Sequence, residues 1–308
     1  MVNQQVTSLN HKDGTSETAC DITFKFNNYL SQKVTHKKIN KIFLEWFIGF
    51  FEGKGSFIVL KNKVYFNLSV SIKDIQVLYY IKKELGFGKI KINKGLYTDD
   101  KGVCNGDTAF FYVISFNNFY RLVTLFNGNL CTVGKKEEFK NWLKVFNSQY
   151  SKEIWIIDSA IKPSLTAGWL SGYIDAKGNF TGRTTPGVLP GSGNILSSRI
   201  PYLNFFIEVN QGEFYILNAI FETLSIKERG SNKIKYNKDK EGWILTISSF
   251  NKIKLIINYL KRYPLKTNKS LAFTKWCKIY KIVLNKEHLN EIGLNKIYFL
   301  TKELNKYL

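Results

Sequence analysis

The stretch Phe47-Ile-Gly-Phe-Phe-Glu-Gly-Lys-Gly-Ser-Phe57 returns, changed but in register, as Leu170-Ser-Gly-Tyr-Ile-Asp-Ala-Lys-Gly-Asn-Phe180. Aligned on Gly49 and Gly172, both copies carry an apolar run, an acid (Glu52, Asp175), a lysine (Lys54, Lys177), a glycine and a closing phenylalanine. In the first copy Leu44, Phe47, Ile48 and Phe51 recur at helical spacing and form one apolar stripe. Small residues stand four apart in both copies, Gly49 with Gly53 and Gly172 with Ala176. Such pairs leave a flat face on which a second helix backbone can approach closely. A helix packed only on its own sheet needs no such face in both copies. The two helices are therefore expected to pack on each other and to form the interface between two halves.

Three further matches follow in the same order. Lys89-Ile-Lys-Ile-Asn-Lys94 resembles Lys233-Ile-Lys-Tyr-Asn-Lys238, Ile114-Ser-Phe-Asn-Asn resembles Ile247-Ser-Ser-Phe-Asn, and Trp142 and Trp276 occupy similar places. An ordered set of matches is the signature of a duplicated chain. Each half then reads as helix, two strands, helix, two strands and closing helices. Strands are expected at 56–60, 64–72, 89–96 and 109–116, and at 179–183, 202–209, 233–236 and 243–248. Helices are expected at 75–85, 118–125 and 136–146, and at 213–224, 251–260 and 270–284. The order α-β-β-α-β-β-α gives an α+β class with antiparallel sheets. The expected organisation is a flexible extension over 1–38, a first domain over 39–148, a linker over 149–163 and a second domain over 164–308. Gly182 to Ser198, rich in Gly, Pro and Ser, reads as a mobile loop inside the second half.

The chain of 308 residues fits about two domains, and 44% hydrophobic content supplies their cores. A formal charge of +21 would repel itself in a compact fold unless a polyanion were the usual partner. Nucleic acid is the favoured partner. The four cysteines form no C-x-x-C pair and the three histidines do not cluster near them, which argues against a zinc site or a disulfide framework. The longest apolar run, Phe43 to Phe51, is short and contains Glu45, so no membrane partner is expected. The first twenty residues lack arginine and an apolar segment, and do not read as a secretory signal or transit peptide. Abundant Lys, Asn, Ile, Phe and Tyr, residues with AT-rich codons, point to an organellar, organelle-encoded origin.

The two motif stretches, the segments YFNLSVSIKDIQVLYYIKKELGFGKI and YPLKTNKSLAFTKWCKIYKI, and the element order resemble the LAGLIDADG family of homing endonucleases and intron maturases over about residues 40–308. The resemblance implies two pseudo-symmetric halves joined at the motif helices. It implies two sheets forming a saddle over nucleic acid, and an acid at the end of each motif helix that binds Mg²⁺ and the scissile phosphates. Here those acid positions hold Lys54 and Lys177. An ammonium group has no lone pair for a hard cation and repels it. No intact catalytic residue and no metal or other cofactor is therefore expected, with Mg²⁺ needed only if nuclease activity survives. Lys54 and Lys177 are expected to contact phosphate instead. Glu52 and Asp175, two residues earlier, can cap or orient helix ends or pair with lysines. Gln211 lies where some family members carry a polar active-site residue.

Lys89, Lys91 and Asn93 share one strand face, and Lys233, Lys235 and Asn237 repeat the pattern. With Lys61, Lys73, Arg183, Arg199, Lys227 and Arg229 they compose the expected nucleic-acid surface, lysines for phosphates and Arg or Asn for base edges. The expected molecule is a monomer with an internal pseudo-two-fold. Its first expected function is cleavage-dead binding of structured RNA, as a maturase or a subunit of an RNA–protein particle such as an organellar ribosome. An active Mg²⁺-dependent DNA homing endonuclease and a non-catalytic DNA-binding regulator are the alternatives.

Overall fold

The computed structural model describes residues 23–32, 39–95, 106–183, 201–225 and 232–304. A short helix α1 (Asn27–Ser31) precedes the first half, which runs α2 (Lys41–Lys54), β1 (Gly55–Leu60), β2 (Lys63–Ser71), α3 (Ile75–Leu85), β3 (Lys89–Asn93), β4 (Thr108–Val113), α4 (Phe116–Phe126) and α5 (Val133–Tyr150). The second half repeats it with α6 (Trp169–Lys177), β5 (Gly178–Arg183), β6 (Tyr202–Asn210), α7 (Phe214–Thr223), β7 (Lys233–Asn237), β8 (Gly242–Ile247), α8 (Phe250–Arg262) and α9 (Lys269–Leu284), and adds α10 (Glu291–Leu304). The strand orders are β1-β2-β4-β3 and β5-β6-β8-β7, antiparallel throughout.

Local chemistry sets the element ends. The Asn40 side chain accepts from the Ile42 N–H and caps α2. Gly86, at φ 77°, closes α3 in the left-handed conformation that glycine adopts without strain. Lys61 and Asn62 both have positive φ, the requirement of a two-residue turn matched to strand twist, and join β1 to β2. Along each strand alternate residues turn inward: Phe66, Leu68 and Phe111 under the first sheet, Phe205, Ile207 and Leu245 under the second. The first core is aromatic, with Phe51 stacked on Phe66 at 4.5 Å and Phe57 at 5.7 Å from Trp142. In the second, Phe180 packs on Phe205 and Trp276 among aliphatic side chains.

Several boundaries differ from the sequence expectation. The helix α5 continues to Tyr150, so the connection between halves starts at Ser151. The strand β3 stops at Asn93 rather than reaching Leu96. Part of the extension expected to be loose is packed: Phe24, Phe26 and Tyr29 are buried, and the Asn129 side chain bonds both the Lys25 N–H and the Lys25 carbonyl at 2.8 and 2.7 Å. Three aromatic anchors outweigh the polar composition around them. The helix α10 lies outside the expected pattern and buries Ile297 and Leu304. Residues 184–200, which hold most of the expected loop, lie outside the described residues.

Candidate nucleic-acid interface

The helices α2 and α6 cross at their glycines. A Cβ on Gly49 would stand 2.0 Å from the Trp169 carbonyl oxygen, and one on Gly172 would stand 1.9 Å from that of Trp46. A Cβ on Gly53 would meet the Ala176 Cβ at 2.3 Å. All four small residues thus sit in one contact where any larger side chain would separate the backbones. Gly168, which the sequence reading passed over, extends it by donating its N–H to the buried Glu45 at 2.8 Å.

Glu52 and Asp175 point inward from this crossing and are buried. Each accepts an indole N–H from the opposite half, Asp175 from Trp46 at 2.9 Å and Glu52 from Trp169. Each also accepts from the segment entering a later helix of its own half. Glu52 takes the N–H groups of Cys131 and Thr132 and the Thr132 hydroxyl before α5, at 2.8, 2.7 and 3.0 Å. Asp175 takes the N–H groups of Lys266 and Thr267 and the Thr267 hydroxyl before α9, at 2.7, 3.2 and 2.6 Å. Both acids are therefore clamps, each tying a motif helix to a neighbouring helix start and to the partner half. Burial raises the Glu52 carboxyl to about 7 against the pull of its donors. Burial likewise raises Asp175, opposed by the Thr267 hydroxyl and its other donors.

Lys54 and Lys177 close the same two helices on the outward side. Burial lowers the Lys54 ammonium, and the Lys177 charge lowers it further, opposed by Asp74. Lys269, in the first turn of α9, joins them. Burial brings it down to about 8, with Lys54 and Lys177 acting in the same direction and Asp175 and Asp74 opposing. Asp74 is fixed by the Asn268 N–H at 2.8 Å, and the Asn268 side chain donates to the Lys73 carbonyl at 2.5 Å, so the turn after β2 is sewn to the start of α9. In the other half Glu213 follows β6. Burial raises its carboxyl, and Lys177 and Lys135 pull it back. The centre is thus a group of lysines from both halves with two flanking acids.

A family model described as LAGLIDADG endonuclease matches residues 170–280. The Neurospora crassa protein "Probable intron-encoded endonuclease 4" is 34% identical over 262 residues, 85% of this chain and 44% of that protein. The Schizosaccharomyces pombe "Uncharacterized cox1 intron-2 37.2 kDa protein" is 27% identical over 287 residues, 92% of this chain and 80% of that one. This chain belongs to the LAGLIDADG family. It spans less than half of the first relative's length. Among solved structures, the meganuclease I-SmaMI bound to DNA superposes with a TM-score of 0.63 at 21% identity, over 87% of this chain and all of that one. The endonuclease I-GzeII in complex with its DNA target gives 0.62 at 19%, over 86% and 98%. At these identities the likeness is one of fold, the two-domain LAGLIDADG monomer.

The metal that the family resemblance implies does not fit these residues. The motif-end positions hold ammonium groups, and both oxygens of Glu52 and of Asp175 are engaged by donors. Among the described residues no group of three His, Cys, Asp or Glu side chains could hold a metal ion. No described helix is long and apolar enough to cross a membrane.

The other expected contact residues of this LAGLIDADG chain are dispersed around the centre. Lys61 is at the tip of the β1–β2 turn and Lys73 in the turn after β2, both exposed. Lys89, Lys91 and Asn93 are exposed on β3, while Lys233 and Asn237 on β7 are half-buried beside an exposed Lys235. Arg183 is exposed at the end of β5. Gln211 is exposed, but it opens the turn after β6 and is not part of the strand. Arg199, Lys227 and Arg229 lie outside the described residues. Sequence reading missed Lys269, Lys135, Asp74 and Glu213. Only the repeat could have found the acids, since Asp74 and Glu213 hold equivalent places after β2 and β6.

Proposed function

We infer that this LAGLIDADG chain is a nucleic-acid-binding protein that has lost metal-dependent cleavage and binds structured RNA. One observation carries the reading: lysines from both motif helices, with Lys269, hold the centre where the family resemblance implies metal-binding acids. Cations there neutralise phosphate directly, and affinity then falls steeply with salt as counterions are released. A net charge of +21 supports a polyanion as partner. Shape and backbone contacts suffice for an RNA helix, whose deep groove side chains do not read. A maturase or a subunit of an RNA–protein particle in an organelle is the matching role. Crosslinking in cells followed by sequencing of the bound nucleic acid tests it. Recovery of intron or ribosomal RNA supports the reading, and recovery of a single DNA site overturns it.

The DNA endonuclease reading is favoured by the names of the relatives, among them "Intron-encoded DNA endonuclease aI3" of Saccharomyces cerevisiae, 25% identical over 340 residues. Incubation of the purified chain with Mg²⁺ and candidate duplexes separates the two. Cutting would establish the endonuclease. Cutting that requires Lys54→Asp and Lys177→Asp would mean that only the acids are missing.

A further inference from the structure

The two sheets have the same topology, and their outward faces differ in chemistry. On the first sheet Tyr112 pairs with Asn67 and Lys89 across the strands, Phe110 pairs with Ser69 and Lys91, and Tyr65 pairs with Ile58. Burial alternates along β2 and β4, so Tyr65, Phe110 and Tyr112 all stand on the face away from the core. Tyr65 is 43% exposed, with Ile58 at 38% and Leu60 at 58% on the same face. The aromatic contacts of the core, Phe51 with Phe66 and Phe57 with Trp142 among them, are on the other side. The matching rows of the second sheet are Arg183–Tyr202, Thr181–Asn204, Asn179–Phe206–Thr246–Lys233 and Glu208–Ile244–Lys235, where the two rings, Tyr202 and Phe206, stand four residues apart on β6 with Asn204 between them and an acid shares the face. Glu208 there is paired to Lys240 at 2.9 Å.

On this outward face Tyr65 is exposed and Phe110 and Tyr112 are half-buried, and rings placed there need a reason. Phe110 and Tyr112 alternate on one strand, about 7 Å apart by strand geometry, and each is flanked at the β3 edge by a lysine. A cationic edge beside a row of rings matches a nucleic-acid strand whose phosphates run along the lysines and whose bases lie on the rings. Paired bases cannot use such rings, because their faces are covered by the stack above and below. A fully paired helix would instead be met by polar groups, as on the second sheet.

We propose that the first sheet is a stacking platform for unpaired bases of the bound RNA, with Phe110 and Tyr112 at its centre and Tyr65 beside them, while the second sheet holds an adjoining paired segment by its backbone. This rests on the RNA reading above and specifies its target as a junction between a helix and a single strand. The occupant is argued from charge and ring placement together: Lys63, Lys89 and Lys91 stand around the rings, and the four strands of this sheet carry no acid, so the face is cationic with one sign only.

The test uses the full chain and fluorescence anisotropy with three labelled probes: an RNA hairpin with a single-stranded tail of about six nucleotides, the same hairpin without the tail, and the tailed hairpin made of DNA. The tailed RNA is expected to bind more tightly than the blunt one. Phe110→Ala and Tyr112→Ala are each expected to weaken tailed binding about 5- to 100-fold, to leave blunt binding unchanged and to leave the salt slope unchanged, since a ring releases no counterions. Phe110→Tyr and Tyr112→Phe should retain full affinity. Equal binding of tailed and blunt RNA by the unaltered chain, or alanine variants that keep its full preference for the tailed RNA, overturns the platform while leaving the RNA reading standing. Equal, ring-dependent binding of the tailed DNA keeps the platform and overturns the preference for RNA.

Discussion

Glu52 and Lys54 lie two residues apart on α2, and Asp175 and Lys177 repeat the arrangement on α6, yet the two pairs do different work. A step of two residues turns a helix by more than half a circle, so the acids enter the crossing and the lysines leave it. The inward pair holds indole and backbone N–H groups of both halves. The outward pair lies within electrostatic reach of Lys269, a half-buried lysine in the first turn of α9. The difference separates the part of the motif that builds the molecule from the part proposed to meet phosphate. It explains how lysines at the two motif ends are compatible with the fold: neither lysine shares a hydrogen-bond partner with the clamps.

The largest effect should come from breaking a clamp. Asp175→Ala strands the Trp46 indole, two N–H groups and the Thr267 hydroxyl in a buried site. Loss of such a network is expected to cost about 3–5 kcal/mol in urea unfolding. Lys177→Ala, two residues on, should change stability by about 0.5 kcal/mol or less. Equal losses would end the division between inward and outward positions.

The clamps also predict a pH dependence of stability. The Glu52 carboxyl titrates near 7 when folded against 4.5 unfolded. The folded state then holds the proton more tightly, so this contribution is complete below pH 4.5 and is lost as pH rises through 7. Its ceiling is about 3 kcal/mol. Asp175 is shifted in the same direction and adds to the trend. Thermal melts of Glu52→Gln should lack the Glu52 part of the slope, and an unchanged slope would place its origin elsewhere.

A smaller effect is expected where the helices cross. Gly172→Ala puts a methyl carbon against the Trp46 carbonyl and the Phe50 N–H, and the helices must part to admit it. Overpacking of this kind costs about 1–3 kcal/mol. The same change at Gly134, which has open space around it, should cost nothing measurable or stabilise α5 slightly.

How much of this was legible follows from what pattern can encode. The duplicated motif, the strands and the helix crossing could be read because they rest on periodicity and on small residues at fixed spacing. The start and end of α3, Ile75 to Leu85, agree with the expectation to the residue, since Asp74 and Gly86 mark both ends. The roles of Glu52 and Asp175 were legible only as acids able to cap. Their donors, Thr132 and Thr267, come from segments about 80 and 92 residues away, and contact at such range leaves no local trace. Lys269 was invisible for the same reason, as one lysine among many until α9 is set against α2 and α6. The rings of the first sheet were hidden by alternation itself. Ala109-Phe-Phe-Tyr-Val113 reads as a fully apolar strand, and only the register shows which of its aromatics face outward.

The lysine side of the comparison predicts the smallest change in the folded protein and a selective one in binding. The double variant Lys54→Ala, Lys177→Ala should keep its melting temperature and lose affinity for structured RNA. If each lysine neutralises one phosphate, the slope of log affinity against log salt should become shallower by about two. Lys269 sharpens the point, because its ammonium titrates near 8 in the free protein. As pH rises past that value it sheds its charge and anion binding weakens, while a bound phosphate moves the titration upward. Lys54 and Lys177 push the Lys269 pKa down, and Asp175 and Asp74 push it up. Removing the two motif lysines should therefore shift the pH at which binding weakens to higher values. A variant whose salt slope falls but whose pH profile does not move would mean that each lysine meets phosphate separately, and that the three do not share one site.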